Sequence, residues 1–447
     1  MSAAFLARGA CPALDRPMPT GDGLLVRLRP LDGALVPAAL GRLAALADRH
    51  GNGMMEVTAR GSLQLRGLSA GSAPRLAAEV AALGLDLAPA PTVETAPLAG
   101  LDPTETADAR PLAAALRAAI ARSGLAGGLA PKLAVTVDGG GRLGLAGLSA
   151  DIRLAALPGT AAASGPLWHV ALGGDAATAR ALGAVRRNDA PAALVALLRL
   201  LAAAGPTARG RDLDAGAACV ALAPFLAAAD RPPAAAEAEP VGRFALAAGR
   251  QALGLGLAFG SVAAATLVRL AERASGCGIE GFRLAPGRAL LAVGPAEACT
   301  ALAAAAGALG LVTAAGDPRR AVEACPGAPA CASAGLATRD LAARLAAQAP
   351  ALLDGSAVLH LSGCAKGCAR PAAAGLALVG RNGAAALVVA GRAGDPPVAA
   401  VPVAAAPDAL ARLAALCGRE RRGGESAAAC LARLGTDRLA AAFEDRR

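Results

Sequence analysis

Tyrosine is absent from this chain of 447 residues, which has one tryptophan and six phenylalanines. So few aromatic rings leave no platform on which nucleobases could stack. The formal net charge of +10 is carried by scattered arginines rather than a basic tail, so nucleic acid is not the expected partner. A small ligand bearing several carboxylates would use that charge equally well. Lysine is nearly missing too: Lys132 and Lys366 are the two lysines among 44 basic residues. Both fall inside the motifs described below, which marks them as chemically required.

Other absences narrow the reading further. Residues 1–10 lack an apolar stretch followed by a small-residue cleavage site, so a cytoplasmic protein is expected. The long uncharged runs, residues 252–268 and 298–316, are Ala- and Gly-rich and read as buried helix and strand rather than membrane spans. Neither Gly139–Gly140–Gly141 nor Gly173–Gly174 sits in a GxGxxG or P-loop pattern, and both read as turns. Nicotinamide binding is therefore unsupported, and a separate electron donor is expected.

What is present has the length of three or four domains at roughly 150 residues each. Residues 23–30 (GLLVRLRP) alternate as a strand, 38–50 have helical periodicity, 55–65 (MEVTARGSLQL) read as one strand, 73–83 as a helix and 85–88 as a short strand. Together they form a β-α-β-α-β unit of ferredoxin-like kind. After a Pro- and Ala-rich stretch, residues 227–240, a second series opens with 244–260 and a helix over 262–275. Aligning Gly287 with Gly61 gives an offset of 287 − 61 = 226, and the same shift lays residues 133–143 (LAVTVDGGGRL) on 359–369 (LHLSGCAKGCA). The expectation is an α+β protein built by tandem duplication, each copy a ferredoxin-like half followed by a larger α/β domain. The limits are 1–95, 96–235, 236–315 and 316–447, with the active site at the pseudo-twofold interface.

Ten cysteines in a reducing compartment argue for ligation or burial rather than disulfides. Cys11, Cys219, Cys277, Cys299, Cys417 and Cys430 lack ligand-like spacing and, Cys11 aside, read as packing residues. Cys325-x5-Cys331 and Cys364-x3-Cys368 supply four thiolates from two Gly- and Pro-rich loops, as a 4Fe–4S cluster requires. A zinc site and four buried thiols are the competing readings. Arg27, Arg60 and Lys132 fall on strand ends or beside turns, where cations can converge on carboxylates. Lys366 stands between two of the cysteines. His360 precedes them, as a metal ligand, a proton donor or, more simply, a packing residue.

The cysteine pattern, with SGC and GC around its second pair, resembles the siroheme and 4Fe–4S sulfite and nitrite reductase family over nearly the whole chain. That resemblance implies a cluster bridged by Cys368 to a neighbouring iron centre. Arg27 and Arg60 fall on the family's anion- and carboxylate-binding motif positions, and Lys132 on the first of its paired lysines. The second lysine position is Ala134, so the cage that delivers protons to sulfite or nitrite is incomplete. Residues 11–30, 131–154, 324–331 and 360–371 (HLSGCAKGCARP) resemble most closely the branch of the family that acts in oxygen-dependent cobalamin biosynthesis. This branch implies an O2-dependent monooxygenase, using NADH-derived electrons, that hydroxylates precorrin-3A at C20 with γ-lactone formation. It also implies an additional mononuclear iron. Arg60, Lys132 and Lys366 are then the catalytic candidates, and Arg27, Arg60 and Lys132 the substrate-binding ones. A siroheme-dependent sulfite or nitrite reductase and a non-catalytic cluster electron carrier are the rival readings.

Overall fold

The structure, a computed structural model, describes residues 12–159, 165–227 and 239–445. Residues 1–10, Cys11 and most of the Pro/Ala-rich stretch lie outside the described residues.

The first unit runs β1 (Met18–Thr20), β2 (Gly23–Leu28), β3 (Ala34–Leu35), α1 (Pro37–His50), β4 (Met54–Val57), β5 (Leu63–Leu68) and α2 (Ser72–Ala82). Helix α1 starts at a proline, whose missing N–H is no loss there, and ends on Arg49 and His50, which face the negative end of the helix dipole. Its Leu40, Leu43, Ala44 and Ala47 recur at helical spacing and are buried. Residues 55–65 are not one strand. Thr58 and Ser62 close a turn, and Gly61 takes a left-handed φ of +72° at its tip, so the segment folds into the β4–β5 hairpin. The expected strand at 85–88 reduces to a single bridge between Leu87 and Pro30, because Pro89 and Pro91 follow directly and cannot donate to a ladder.

The second unit comprises β6 (Thr92–Thr95), α3 (Arg110–Ser123), β7 (Ala134–Asp138), β8 (Ala150–Ala156), β9 (Trp168–Gly174), β10 (Arg180–Val185), α4 (Ala190–Ala204), α5 (Ala215–Leu222) and β11 (Leu226–Ala227). Because β6 pairs with β7, the limit between the first two units is better drawn before Thr92 than after residue 95. The third unit has β12 (Gly242–Ala245), β13 (Arg250–Gly256), β14 (Ser261–Ala263), α6 (Ala264–Cys277), β15 (Gly281–Ala285), β16 (Ala289–Pro295) and α7 (Ala296–Ala308). The fourth has β17 (Val322–Ala324), α8 (Thr338–Gln348), β18 (Leu359–Ser362), β19 (Ala374–Arg381), β20 (Ala384–Gly391), β21 (Ala399–Pro402), α9 (Ala406–Glu420) and α10 (Ala427–Glu444).

The duplication is written in the strand orders. The first and third units form sheets β1-β2-β5-β4-β14 and β12-β13-β16-β15-β3, so each copy lends one short strand to the other's edge. The second and fourth units repeat two parallel pairings followed by two antiparallel ones, β6-β7-β8-β9-β10 and β17-β18-β19-β20-β21. Pairing register corrects the single offset of 226. Met55 faces Val262 as Phe282 faces Leu35, an offset of 282 − 55 = 227. Glu94 faces Thr136 as Glu323 faces His360, an offset of 360 − 136 = 224. The even difference between 226 and 224 keeps every side chain of that strand on its face.

Helices α1 and α6 pack together in one core shared by both ferredoxin-like halves. The helices come close at Gly41, where a Cβ would lie 3.2 Å from that of Ala271. Strand alternation then turns the remaining sheet faces outward, and they differ. The third unit presents Ala252, Ala289, Leu291 and Val293, which pack dry against Leu98 and Leu143 of the second unit. The first unit presents Arg27, Arg29, Glu56, Gln64 and Arg66, of which Arg66 meets the Ala330 carbonyl and Glu56 meets Arg339 of the fourth unit.

Candidate functional site

Strands β17 and β18 are parallel neighbours, with Ala324 beside Leu361, so the loops that follow leave the same end of the sheet. That end is where parallel α/β sheets hold their ligands. One loop carries Cys325 and Cys331, the other Cys364 and Cys368. Cys325 is buried, Cys331 and Cys364 are half-buried, and Cys368 is exposed. The Gly363 N–H donates to Cys325 Sγ at 3.1 Å, and the Cys325 N–H to the Leu361 carbonyl at 3.2 Å, locking the two loops together. Gly363 has no room for a side chain, since a Cβ would lie 2.5 Å from that of Ala334. Four thiols on two loops, with a main-chain N–H already aimed at sulfur, fit a 4Fe–4S cluster. Among the described residues, no three His, Cys, Asp or Glu side chains gather to hold a single metal ion.

The first loop seats on the charged face of the first sheet. Arg66 donates to the Ala330 carbonyl at 2.5 Å, pairs with Asp22 at 2.8 Å and lies 3.5 Å from Glu56. Burial would lower the Arg66 pKa, but Asp22, Glu56 and the Cys331 sulfur raise it on balance. Arg339, at the start of α8, reaches Glu56 at 2.5 Å. Gly21 closes the seat: a Cβ there would lie 2.4 Å from the Pro329 carbonyl oxygen. Along β5 the same face continues through Gln64, which in the amide orientation that satisfies both neighbours donates to Glu56 at 3.1 Å and accepts from Arg27 at 3.3 Å. It ends at Ser62, which accepts from Arg29 at 3.0 Å. From Arg66 to Ser62 the stripe covers roughly 13 Å at the usual strand rise.

At its far end the stripe opens into a small cleft of about 50 Å³, lined by Arg29, Asp32, Arg60, Glu94, Arg117 and Leu148 among others. The tips of the β4–β5 and β15–β16 hairpins meet beside it, Gly287 donating its N–H to the Ala59 carbonyl at 3.0 Å. Glu94 is clamped by Arg60 at 2.5 Å and Arg29 at 3.0 Å, and Arg117 pairs with Asp32 at 3.0 Å. Arg153, buried on β8 with its pKa lowered by that burial, donates to the Leu145 carbonyl at 3.0 Å and to that of Leu148, fixing the loop that walls the cleft. The second copy repeats the clamp at Glu323, held by Arg370 at 2.8 Å and Arg288 at 3.7 Å. Arg288 also donates to the Ala369 carbonyl at 2.7 Å, just past Cys368.

Of the residues singled out from sequence, Arg27 and Arg60 lie on this stripe and cleft. Lys366 is exposed in the cysteine loop. Lys132 is exposed before β7, outside the cleft lining, its carbonyl accepting from Arg209 at 3.2 Å. Arg29, Arg66 and Arg117 were missed. The first two had a signal, since Arg27/Arg29 and Ser62/Gln64/Arg66 alternate on one strand face; Arg117, on α3, had none. His360 is fully buried, and burial pushes its pKa down to about 4, so the ring is neutral. Cys299, Cys417 and Cys430 are buried in packing positions, and no helix among the described residues is long and apolar enough to cross a membrane.

Residues 16–83 match the family of the nitrite/sulfite reductase ferredoxin-like half domain. A precorrin-3B synthase from Sinorhizobium sp is 46% identical over 443 residues, covering 99% of this chain and 95% of that protein. The structure of the Mycobacterium tuberculosis NirA protein superposes with a TM-score of 0.73 over 93% of this chain and 84% of that one. At 20% identity, that match is a likeness of fold.

Proposed function

The chain belongs to the precorrin-3B synthase family, and from that premise we propose that it hydroxylates precorrin-3A at the C20 meso carbon using O2 and supplied electrons, a γ-lactone closing from the ring A acetate. The observation that carries the proposal is the 46% identity to a precorrin-3B synthase over 443 residues, 99% of this chain. The substrate is a macrocycle edged with carboxylates. The Arg27–Arg29 stretch of the charged face, ending in the Arg29–Arg60–Arg117 cleft, suits such an edge, because guanidinium forks bind carboxylates in pairs of hydrogen bonds. Glu94 and Asp32 hold the guanidinium groups of Arg29, Arg60 and Arg117 in place before substrate arrives, so little side-chain freedom is lost on binding. Lys132 and Lys366, both exposed, are proposed as rim cations for outlying carboxylates.

When bound at Cys325, Cys331, Cys364 and Cys368, a 4Fe–4S cluster supplies electrons one at a time. The chain's own part is to seat the macrocycle against these loops and to hold water away from it, with Arg66 and Arg339 fastening the first loop to the face. The mononuclear iron receives no ligands in this proposal. A separate protein or reductant is the proposed electron source, and the cytoplasm the proposed compartment. The test is turnover of purified, cluster-loaded protein with precorrin-3A and a reductant. Conversion in air and none under argon supports the proposal, whereas reduction of sulfite or nitrite without conversion of precorrin-3A rejects it.

A further inference from the structure

His360 is a buried group to which the proposed function gives no task. It lies on β18 directly across from Glu323 on β17 and Ala377 on β19, with no exposed surface. Neither ring nitrogen has a hydrogen-bond partner, and the Glu323 carboxylate opposite is occupied by Arg370 and Arg288. The Cys364–Cys368 loop folds against the ring: a Cβ on Gly367 would lie 3.6 Å from His360 Cε1. On the same side, Ala365, Ala377 and Ala393 belong to one small apolar cluster, and the charges that act on the ring are those of Glu323, Arg370 and Arg288. At the equivalent register position the first copy has Thr136, opposite Glu94, and the loop that follows it carries glycines in place of cysteines. The imidazole therefore accompanies the cysteine loop and is not demanded by the strand geometry the two copies share.

Buried polar groups without partners are rare in folded proteins, and one that persists calls for a partner the chain itself does not supply. A neutral imidazole keeps one N–H donor, and the acceptors that a cluster would bring to this loop are sulfurs. We infer that His360 is a positioning residue that donates its ring N–H to a sulfur of the cluster held at Cys364 and Cys368, stabilising the reduced cluster and the loop around it. The inference rests on the cluster reading given above. Hydrogen bonds to cluster sulfur favour the more negative, reduced state and so raise the reduction potential.

The experiment compares cluster-loaded, full-length wild type with His360→Leu and His360→Gln by redox titration followed by electron paramagnetic resonance. The Leu variant is expected to titrate at a more negative potential and to lose acid-labile sulfide faster in the presence of chelator. The Gln variant, which keeps an N–H donor, is expected to move back toward wild type on both readouts. Should the Leu variant fail to fold, His360→Phe serves as the apolar replacement. Equal potentials and equal sulfide loss in all three proteins overturn the inference and leave His360 a packing residue. Wild type devoid of acid-labile sulfide overturns the cluster reading itself, a failure that is told apart before any variant is made.

Discussion

Arg66 fastens the first cysteine loop to the sheet by satisfying two carboxylates and one carbonyl from a buried position. Arg66→Met leaves Asp22 without its cation and Glu56 with Arg339 alone, and loss of one partner of a buried pair costs about 3–5 kcal/mol. Urea unfolding of the variant is expected to show that loss. Arg66→Lys is expected to recover part of it, since an ammonium restores the charge but cannot fork between Asp22 and Ala330. Glu105 makes a second prediction with the opposite sign. Burial raises its pKa to about 7 against the pull of the Gly100 N–H, with Asp108 and Asp102 adding repulsion. Its folded-state pKa lies above the unfolded value, so the folded chain holds the proton more tightly and stability falls as pH rises from about 4.5 through about 7. Glu105→Gln removes that fall. The variant is expected to match wild type at pH 4 and to exceed it by roughly 1–2 kcal/mol at pH 8, the figure being reduced for partial exposure, as measured by thermal unfolding across pH.

Hairpins and loops, more than the larger elements, decide where the site lies. The β4–β5 tip abuts the β15–β16 tip, and Gly61 combines a φ of +72° with a Cβ position only 2.9 Å from the Ala285 carbonyl carbon. Gly61→Val is strained on both counts and is expected to destabilise the fold by about 1–3 kcal/mol, lowering the denaturant midpoint. Because Arg60 is its neighbour, the same change is expected to weaken substrate binding. Much of this was legible in the chain. The alternation of 23–30 and the helix over 38–50 predict the first half domain, which the matched family covers at residues 16–83, and the offset between the two series predicts the duplicated α+β frame. The turn at 58–62 was not legible, because VTARGSLQ alternates well enough to pass for one strand and only the pairing of Thr58 with Ser62 bends it. Nor was the Arg29–Glu94–Arg60 clamp, whose members come from three segments that the chain order keeps apart and only tertiary packing unites.

Both copies build one molecule because neither can finish alone. Each half-sheet takes its edge strand from the other copy, and α1 and α6 bury each other in a common core. Residues 1–235 expressed alone are expected to expose the α1 face and aggregate, while co-expression with residues 236–447 restores a soluble complex of native size on gel filtration. Duplication also explains why one site results rather than two. The outer face of the third unit's sheet is closed by leucines, whereas that of the first is charged and meets the first cysteine loop at Ala330. At the first copy's glycine loop, an Asp102–Arg142 pair at 2.9 Å holds together segments that correspond to the two cysteine loops of the second copy. In the proposed reaction the charged face and the cysteine loops together direct an oxygen atom from O2 into a precorrin. The most direct measurement of that reaction is mass spectrometry of the product formed from precorrin-3A under isotopically labelled O2 with a chemical reductant. A gain of one labelled oxygen atom is expected, abolished in Cys364→Ala and strongly reduced in Arg60→Ala; an unlabelled product, or no gain in mass with cluster-loaded wild type, rules the proposed reaction out.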